Sequence, residues 1–299
     1  MKLKKLFLKD KPLFDKFLNL GTHELGVYHF ANIYIWRGLF EIQWQLIEGN
    51  LCLFFQDRLG CFAYLEPLGK NINPLVAAEV FALMDKFNRQ KNISRIENVE
   101  EHAAPFYRQV GYSLREKFCD YLCSRERLSG LRGDNFKSQR AMYNYFIRHY
   151  PYEYQRFSLR HKDDCLALYR RWMLERKAAN LDLVYQGMLE DSFKSLKVML
   201  GSWKDLRLTG RVVKVGNEIK GFTFGFRLNR ETFCVLYEIT DLSLKGLAQF
   251  IFRRFCQELE SYPYINLMDD SGLENLKKVK LSYRPIRLIP NFIVERRDA

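Results

Sequence analysis

Apolar and polar residues alternate from Glu41 to Ile47, and a short apolar run follows from Leu51 to Phe55, on the other side of Gly49-Asn50. That pair supplies the positive φ of a tight hairpin turn, so a two-stranded hairpin is expected here. A third extended run, Cys61 to Leu65, ends at Pro67. Pro74 then opens a helix to about Arg89, with Val76, Val80, Leu83 and Phe87 on one face. The same order returns later in the chain. Leu206 to Val215 alternates, Gly216-Asn217 turns, Ile219 to Leu228 returns, Asn229-Arg230 turns again, and Thr232 to Ile239 forms a further strand. Gly246 opens a helix to about Glu260 with Ala248, Ile251, Phe255 and Leu259 on one face. A strand at Tyr264 to Leu267, a helix at Leu273 to Lys280 and a strand near Ile286 to Val294 complete the pattern. Each half therefore reads as a hairpin, a third strand and a helix. No repeat of residues accompanies the repeat of elements.

The stretch between the halves, Phe136 to Phe157, carries eight aromatic residues. Asp134 or Asn135 can cap a helix running to about His149. Tyr143, Phe146, Ile147 and Tyr150 share one of its faces, and Lys137, Arg140, Asn144 and Arg148 share another. Pro151 ends it. Helices near Asp163 to Lys177 and Tyr185 to Leu200 follow, and no Gly/Ser linker separates the halves.

The length of 299 residues suits two domains of ordinary size, and a 47% hydrophobic content provides for a core. The net charge of +13 favours a polyanionic partner such as nucleic acid, a phosphate-bearing cofactor or an anionic lipid headgroup. Ten of those charges fall in two segments, +6 in Ser124 to Arg176 and +4 in Glu274 to Ala299. No apolar run approaches the ~20 residues that span a bilayer. The basic start, Met1 to Lys11, is interrupted by Lys9 and Asp10, too soon for a signal peptide. Seven scattered cysteines, an odd number without CxxC pairs, read as buried thiols in a reducing cytoplasm. Cys119, Cys123 and His102 lack the spacing of a zinc site, and no metal site is expected. The motifs of serine hydrolases, dinucleotide-binding folds, P-loop enzymes and zinc proteases are missing.

Several stretches together resemble a known family. One runs from Tyr121-Leu122-Cys123-Ser124 through Leu128-Ser129-Gly130-Leu131-Arg132-Gly133 to Arg140 and Tyr143 to Pro151. Others are Asn32 to Arg37, Pro67-Leu68-Gly69, Gly221-Phe222-Thr223-Phe224-Gly225 and Asn229-Arg230-Glu231-Thr232-Phe233. The most specific is Tyr264-Ile265-Asn266, Asp270-Ser271-Gly272-Leu273 and Leu276 to Pro285. The chain is similar over nearly its whole length to the bacterial family of the phosphatidylglycerol lysyltransferase C-terminal domain, a tandem GNAT fold related to Fem-type transferases. The resemblance implies transfer of an aminoacyl group from aminoacyl-tRNA. It is imperfect: Leu267 and Met268 stand where the family carries Arg and Glu, Gln139-Arg140-Ala141 replaces Lys-Arg-Asn, and Leu236-Tyr237-Glu238-Ile239 replaces His-x-Glu-Lys.

The resemblance places the candidate chemistry in the second half. Asp269 and Asp270 can accept the amine of an aminoacyl donor or take a proton, or Asp270 can simply cap a helix. Glu238 can serve as a base or as a cross-strand ion-pair partner. Tyr283 can protonate a leaving group or pack as a half-buried strand residue. Lys245, Gly246 and Ala248 stand where a GNAT protein binds the pyrophosphate of acyl-CoA, or form a tight turn before a core helix. Arg140, Arg148, Lys277, Lys278, Lys280 and Arg284 can line a groove for tRNA or an anionic headgroup, or form solvated faces. The expectation is thus an α/β (α+β) protein of two tandem GNAT-like domains, 1–130 and 131–299, with largely antiparallel mixed sheets and the site in the second domain. It is an acyltransferase with an aminoacyl-tRNA or acyl-CoA donor and no certain cofactor. The alternative is a tRNA- or RNA-binding module that has lost the chemistry.

Overall fold

Glu48 and Gly49 take φ of 47° and 78°, and this two-residue turn joins β2 (Glu41–Ile47) to β3 (Asn50–Gln56). Ile47 pairs with Asn50, so the turn lies one residue earlier than Gly49-Asn50. The shift matters because strand side chains alternate, and one residue of slip exchanges the two faces. The second hairpin turns where expected: Val215 pairs with Glu218 around Gly216-Asn217. At the next turn the Asn229 side chain accepts hydrogen bonds from the Glu231 and Thr232 N–H groups, at 2.9 and 2.8 Å, a closure that asparagine makes readily.

The computed structural model describes residues 3–70 and 72–297. The chain divides into two units, one up to Asp120 together with the residues from Leu288 on, the other Tyr121–Arg287. In the first, β1 (Lys4–Lys5), β2, β3, β4 (Cys61–Ala63), β5 (Arg95–Glu100), the last strand β14 (Asn291–Glu295) and β6 (Ser113–Glu116) form one sheet in that order. Only β4 and β5 run parallel, and the helix Pro74–Asp85 connects them. Asn73 caps that helix by accepting the Val76 N–H at 3.1 Å. Val76, Val80 and Phe81 then pack with Phe54, Ile96, Tyr107 and Val294.

The second unit repeats the plan. Its sheet runs β13 (Arg287–Ile289), β7 (Asp120–Ser124), β12 (Tyr264–Asn266), β11 (Thr232–Thr240), β10 (Glu218–Arg227), β9 (Thr209–Val215), β8 (Tyr152–Arg156). The pair β11 and β12 is parallel, bridged by the helix Leu247–Glu258. Among the described residues no helix is long and apolar enough to cross a membrane.

Three expectations change. The division at 130/131 moves to 120/121, because β7 pairs with β12. The C-terminal strand leaves the second half, because β14 inserts between β5 and β6. Pro290, with no N–H to donate, splits the single strand expected over Ile286 to Val294. The aromatic stretch forms the helix expected of it. It supplies the helix Lys137–His149 and the edge strand β8, and its rings surround Phe250: Phe146 at 4.8 Å, Tyr152 at 4.4 Å and Tyr143 at 5.7 Å between centroids. Phe250 is fully buried. Replacing it with Ala is expected to cost about 3–5 kcal/mol, read as a lower midpoint in guanidinium unfolding with the slope unchanged.

Candidate functional site

β11 and β12 are paired only from Thr232–Tyr264 to Cys234–Asn266. Beyond that point β11 continues to Thr240, bonded on its other side to β10. The chain instead leaves β12 through Met268 and Ser271, both with left-handed backbones at φ 59° and 52°. Four side chains hold this turn. Lys280, buried on the helix Glu274–Ser282, donates to the carbonyls of Leu267 at 2.7 Å, Met268 at 3.1 Å and Asp269. The Tyr121 hydroxyl donates to Asp270 Oδ2, and Asp270 Oδ1 accepts the Gly272 N–H at 2.9 Å. Asp269 Oδ1 accepts the Ser271 N–H at 2.8 Å.

Glu238 lies on the part of β11 that has no parallel neighbour, opposite Thr223 of β10. Two residues on, the paired Gly221 and Thr240 face Leu247 and Ile251 of the helix Leu247–Glu258. Alternation along a strand therefore puts Glu238 and Thr223 on the same helix-covered face. Both carry a buried oxygen, Glu238 Oε2 and Thr223 Oγ1, with no hydrogen-bond partner among the described residues. Glu238 as a whole is half-buried, so part of it still meets solvent. Burial pushes its carboxyl up to about 8, because the charged form is poorly solvated there. Tyr283, whose ring centroid lies 4.4 Å from that of Phe252 with the rings tilted by 47°, is pushed well above the ordinary tyrosine range, first by burial and then by the Glu238 charge. Cys256 is raised for the same two reasons.

Of the four residues expected to carry chemistry, Glu238 and Tyr283 are near enough for the Glu238 charge to raise the tyrosine. Asp269 and Asp270 instead hold the turn after β12. Gly246 has a packing reason of its own. Its φ is 86°, and a β-carbon on it would come 2.1 Å from the Met142 carbonyl oxygen. The helix Lys137–His149 thus lies directly against the turn where a pyrophosphate was expected. Lys245 is exposed, with its ammonium 4.7 Å over the Tyr145 ring, and Ala248 is half-buried.

The basic residues divide. Lys280 is no surface cation, since its ammonium is committed to three carbonyls. Arg140 is half-buried and donates to the carbonyls of Leu131 at 2.5 Å and Gly133 at 3.0 Å. Arg148, Lys277, Lys278 and Arg284 are exposed. Arginines outside this set converge elsewhere in the second unit, and no one of them is conspicuous in the sequence.

The first unit holds a second buried acid. Glu66 Oε1 accepts the Tyr28 hydroxyl at 3.1 Å, and Glu66 Oε2 has no hydrogen-bond partner among the described residues. Burial, then the Glu100 charge, pushes Glu66 up to about 8. Ligand atoms of Glu66, Glu100 and His102 lie within 4.8 Å of one another, the one group among the described residues whose types and spacing can hold a metal ion. Sequence spacing does not reveal it, because Glu66 comes from a different segment.

A family model described as phosphatidylglycerol lysyltransferase, C-terminal, matches residues 21–295. No curated protein matches the chain. A conserved protein of unknown function from Bacteroides thetaiotaomicron superposes with a TM-score of 0.88 at 26% identity, over 99% of this chain and 100% of the other. L-PGS from Bacillus licheniformis does so with a TM-score of 0.67 at 15% identity, over 99% and 94%. A tandem GNAT protein from the clavulanic acid biosynthesis pathway gives 0.51 at 9% identity, over 100% and 99%. The fold is the tandem GNAT fold.

Gly246→Ala is expected to lose about 1–3 kcal/mol of stability from its backbone conformation alone, and more from the Met142 contact, measured by thermal unfolding. Glu66 and Glu238 have folded values near 8 against 4.5 for an ordinary glutamate. The folded protein keeps protons that the unfolded chain releases in that interval, so stability falls as pH rises from 4.5 towards 8. E66Q and E238Q should each show a shallower fall across the window; parallel curves for wild type and variants would remove the buried acids as its cause.

Proposed function

This chain belongs to the phosphatidylglycerol lysyltransferase C-terminal family, and from that premise we propose that it is a GNAT-type acyltransferase that moves an aminoacyl group from aminoacyl-tRNA to an amine or hydroxyl, with Glu238 as general base. The observation that carries this reading is the unpartnered Glu238 carboxylate on the open length of β11. A base should titrate near the working pH and have a free oxygen to receive the proton. Glu238 has both properties.

In the proposed step the acceptor's nitrogen or oxygen attacks the ester carbon of the donor and gives its proton to Glu238. A new acyl bond forms, the ester bond to the carrier breaks, and the departing oxygen takes a proton from Tyr283. Tyr283 keeps its proton across the physiological range, as a donor must. Asp270 is a positioning residue that holds the turn after β12 against Tyr121. The packing of Gly246 against Met142 supports aminoacyl-tRNA over acyl-CoA, since the glycine that would cradle a pyrophosphate is already explained. The charge of +13 agrees with a tRNA carrier, and a lipid headgroup or a peptide amine is the acceptor class to test. A cytoplasmic setting agrees with seven cysteines that are all free thiols.

Purified protein should transfer the labelled aminoacyl group, with a rate that rises with pH up to about 8, where Glu238 ionises. Glu238→Gln should lower the rate about a hundredfold or more while far-UV circular dichroism is unchanged. Transfer from acetyl-CoA but not from aminoacyl-tRNA would move the protein to conventional N-acyltransfer. Binding of charged and uncharged tRNA alike without turnover would leave an RNA-binding module, and an active Glu238→Gln would exclude Glu238 as base.

A further inference from the structure

Six arginines of the second unit, Arg125, Arg132, Arg156, Arg211, Arg253 and Arg254, line one cavity of about 930 Å³. Only Glu258 and Glu260 oppose them in its wall. Glu258 is already engaged: Arg211 holds its Oε2 through Nε at 2.7 Å and through Nη2. The cavity therefore keeps a large positive excess at any pH near neutrality, because guanidinium groups do not deprotonate there.

The arginines come from four separate segments. Arg156 of β8 is paired directly with Arg211 of β9. Like charges opposite one another across strands repel, and Arg156 is exposed and forms no ion pair among the described residues. Arg253 is fixed over the Tyr143 ring at 4.3 Å and donates to the Ser129 carbonyl at 2.9 Å. Arg254 lies 5.7 Å over the Tyr154 ring. Arg125 has a buried Nε with no hydrogen-bond partner among the described residues. Some guanidiniums are thus held in place by the protein, while Arg125, Arg132 and Arg156 have donors left over. That is a pre-ordered set of forks without an acceptor.

The lining also limits the ligand. It contains no aromatic ring on which a base could stack and no apolar side chain that could enter a bilayer. The volume is that of a small-molecule site. From this we propose that the arginine cavity binds a compact oligophosphate, a chain of two or more phosphate groups, through bidentate guanidinium contacts. This site is distinct from Glu238 and does not depend on the transferase reading.

Calorimetric titration of the full chain with tripolyphosphate, pyrophosphate and inorganic phosphate tests it. Affinity should rise with the number of phosphates and weaken with salt. The double variant Arg132→Ala/Arg156→Ala alters two exposed side chains, and its melting temperature shows whether the fold is kept. It should bind tripolyphosphate more weakly by about a hundredfold or more, roughly tenfold or more for each of the two charge-assisted contacts removed. R156Q alone should show a smaller loss in the same direction. Lys277→Ala/Lys278→Ala, which removes the same charge elsewhere, should bind as wild type does. No binding of tripolyphosphate, or equal loss in both double variants, overturns the site. Binding of single-stranded RNA or anionic vesicles through Arg132 and Arg156 that tripolyphosphate does not displace overturns its ligand.

Discussion

The ammonium of Lys280 is buried, and a buried charge must find partners or be neutralised. It finds three backbone carbonyls in succession, those of Leu267, Met268 and Asp269. Those carbonyls converge only if the chain turns sharply after β12, and Met268 and Ser271 adopt left-handed backbones to do so. The Tyr121–Asp270 hydrogen bond closes the turn from the other side. Once the chain has turned, β12 has no further residues to pair with β11. The open length of β11, and with it the exposure of Glu238, follows from this one clamp. Leu267 and Met268 contribute carbonyls rather than side chains to it, so the clamp needs no charge on either side chain.

Both units keep a carboxylate where the surroundings oppose its ionisation, with different causes. Glu66 is raised by burial and by a neighbouring acid, Glu100, and sits among groups able to share a proton or a cation. Glu238 is raised by burial alone and sits beside a tyrosine that stays protonated. Each leaves one oxygen without a hydrogen-bond partner among the described residues. Buried polar groups are ordinarily hydrogen-bonded, and the exceptions concentrate where a protein handles a proton or a ligand.

The positive charge of the chain is spent in three ways. Lys280 and Arg140 turn inwards and bind carbonyls, doing the work of loop closure. Others, such as Lys277 and Lys278, are solvated. A third group converges on the arginine cavity. A count of basic residues along the chain treats all three alike, because the sign of a charge does not say where its side chain goes.

The sequence alone determined what depends on neighbours in the chain. The hairpin at Gly216-Asn217, the cap at Asn73 with Pro74 after it, and the repeated order of strand and helix are set by local φ preferences and by periodicity. The motifs around Asn229 and Asp270 identified the family for the same reason, being short runs held by their own turns. Tertiary structure decided the rest. The last strand crosses to the first unit because a gap between β5 and β6 accepts it, which no local signal records. Gly246 was legible as a glycine needed at a helix start, but its reason, the Met142 carbonyl, lies more than a hundred residues away in the chain. Glu238 was legible as a carboxylate on a strand, but its missing partner and raised proton affinity come from burial beneath a helix. Long-range pairing and desolvation are properties of the assembled chain, and so they appear only once it has folded.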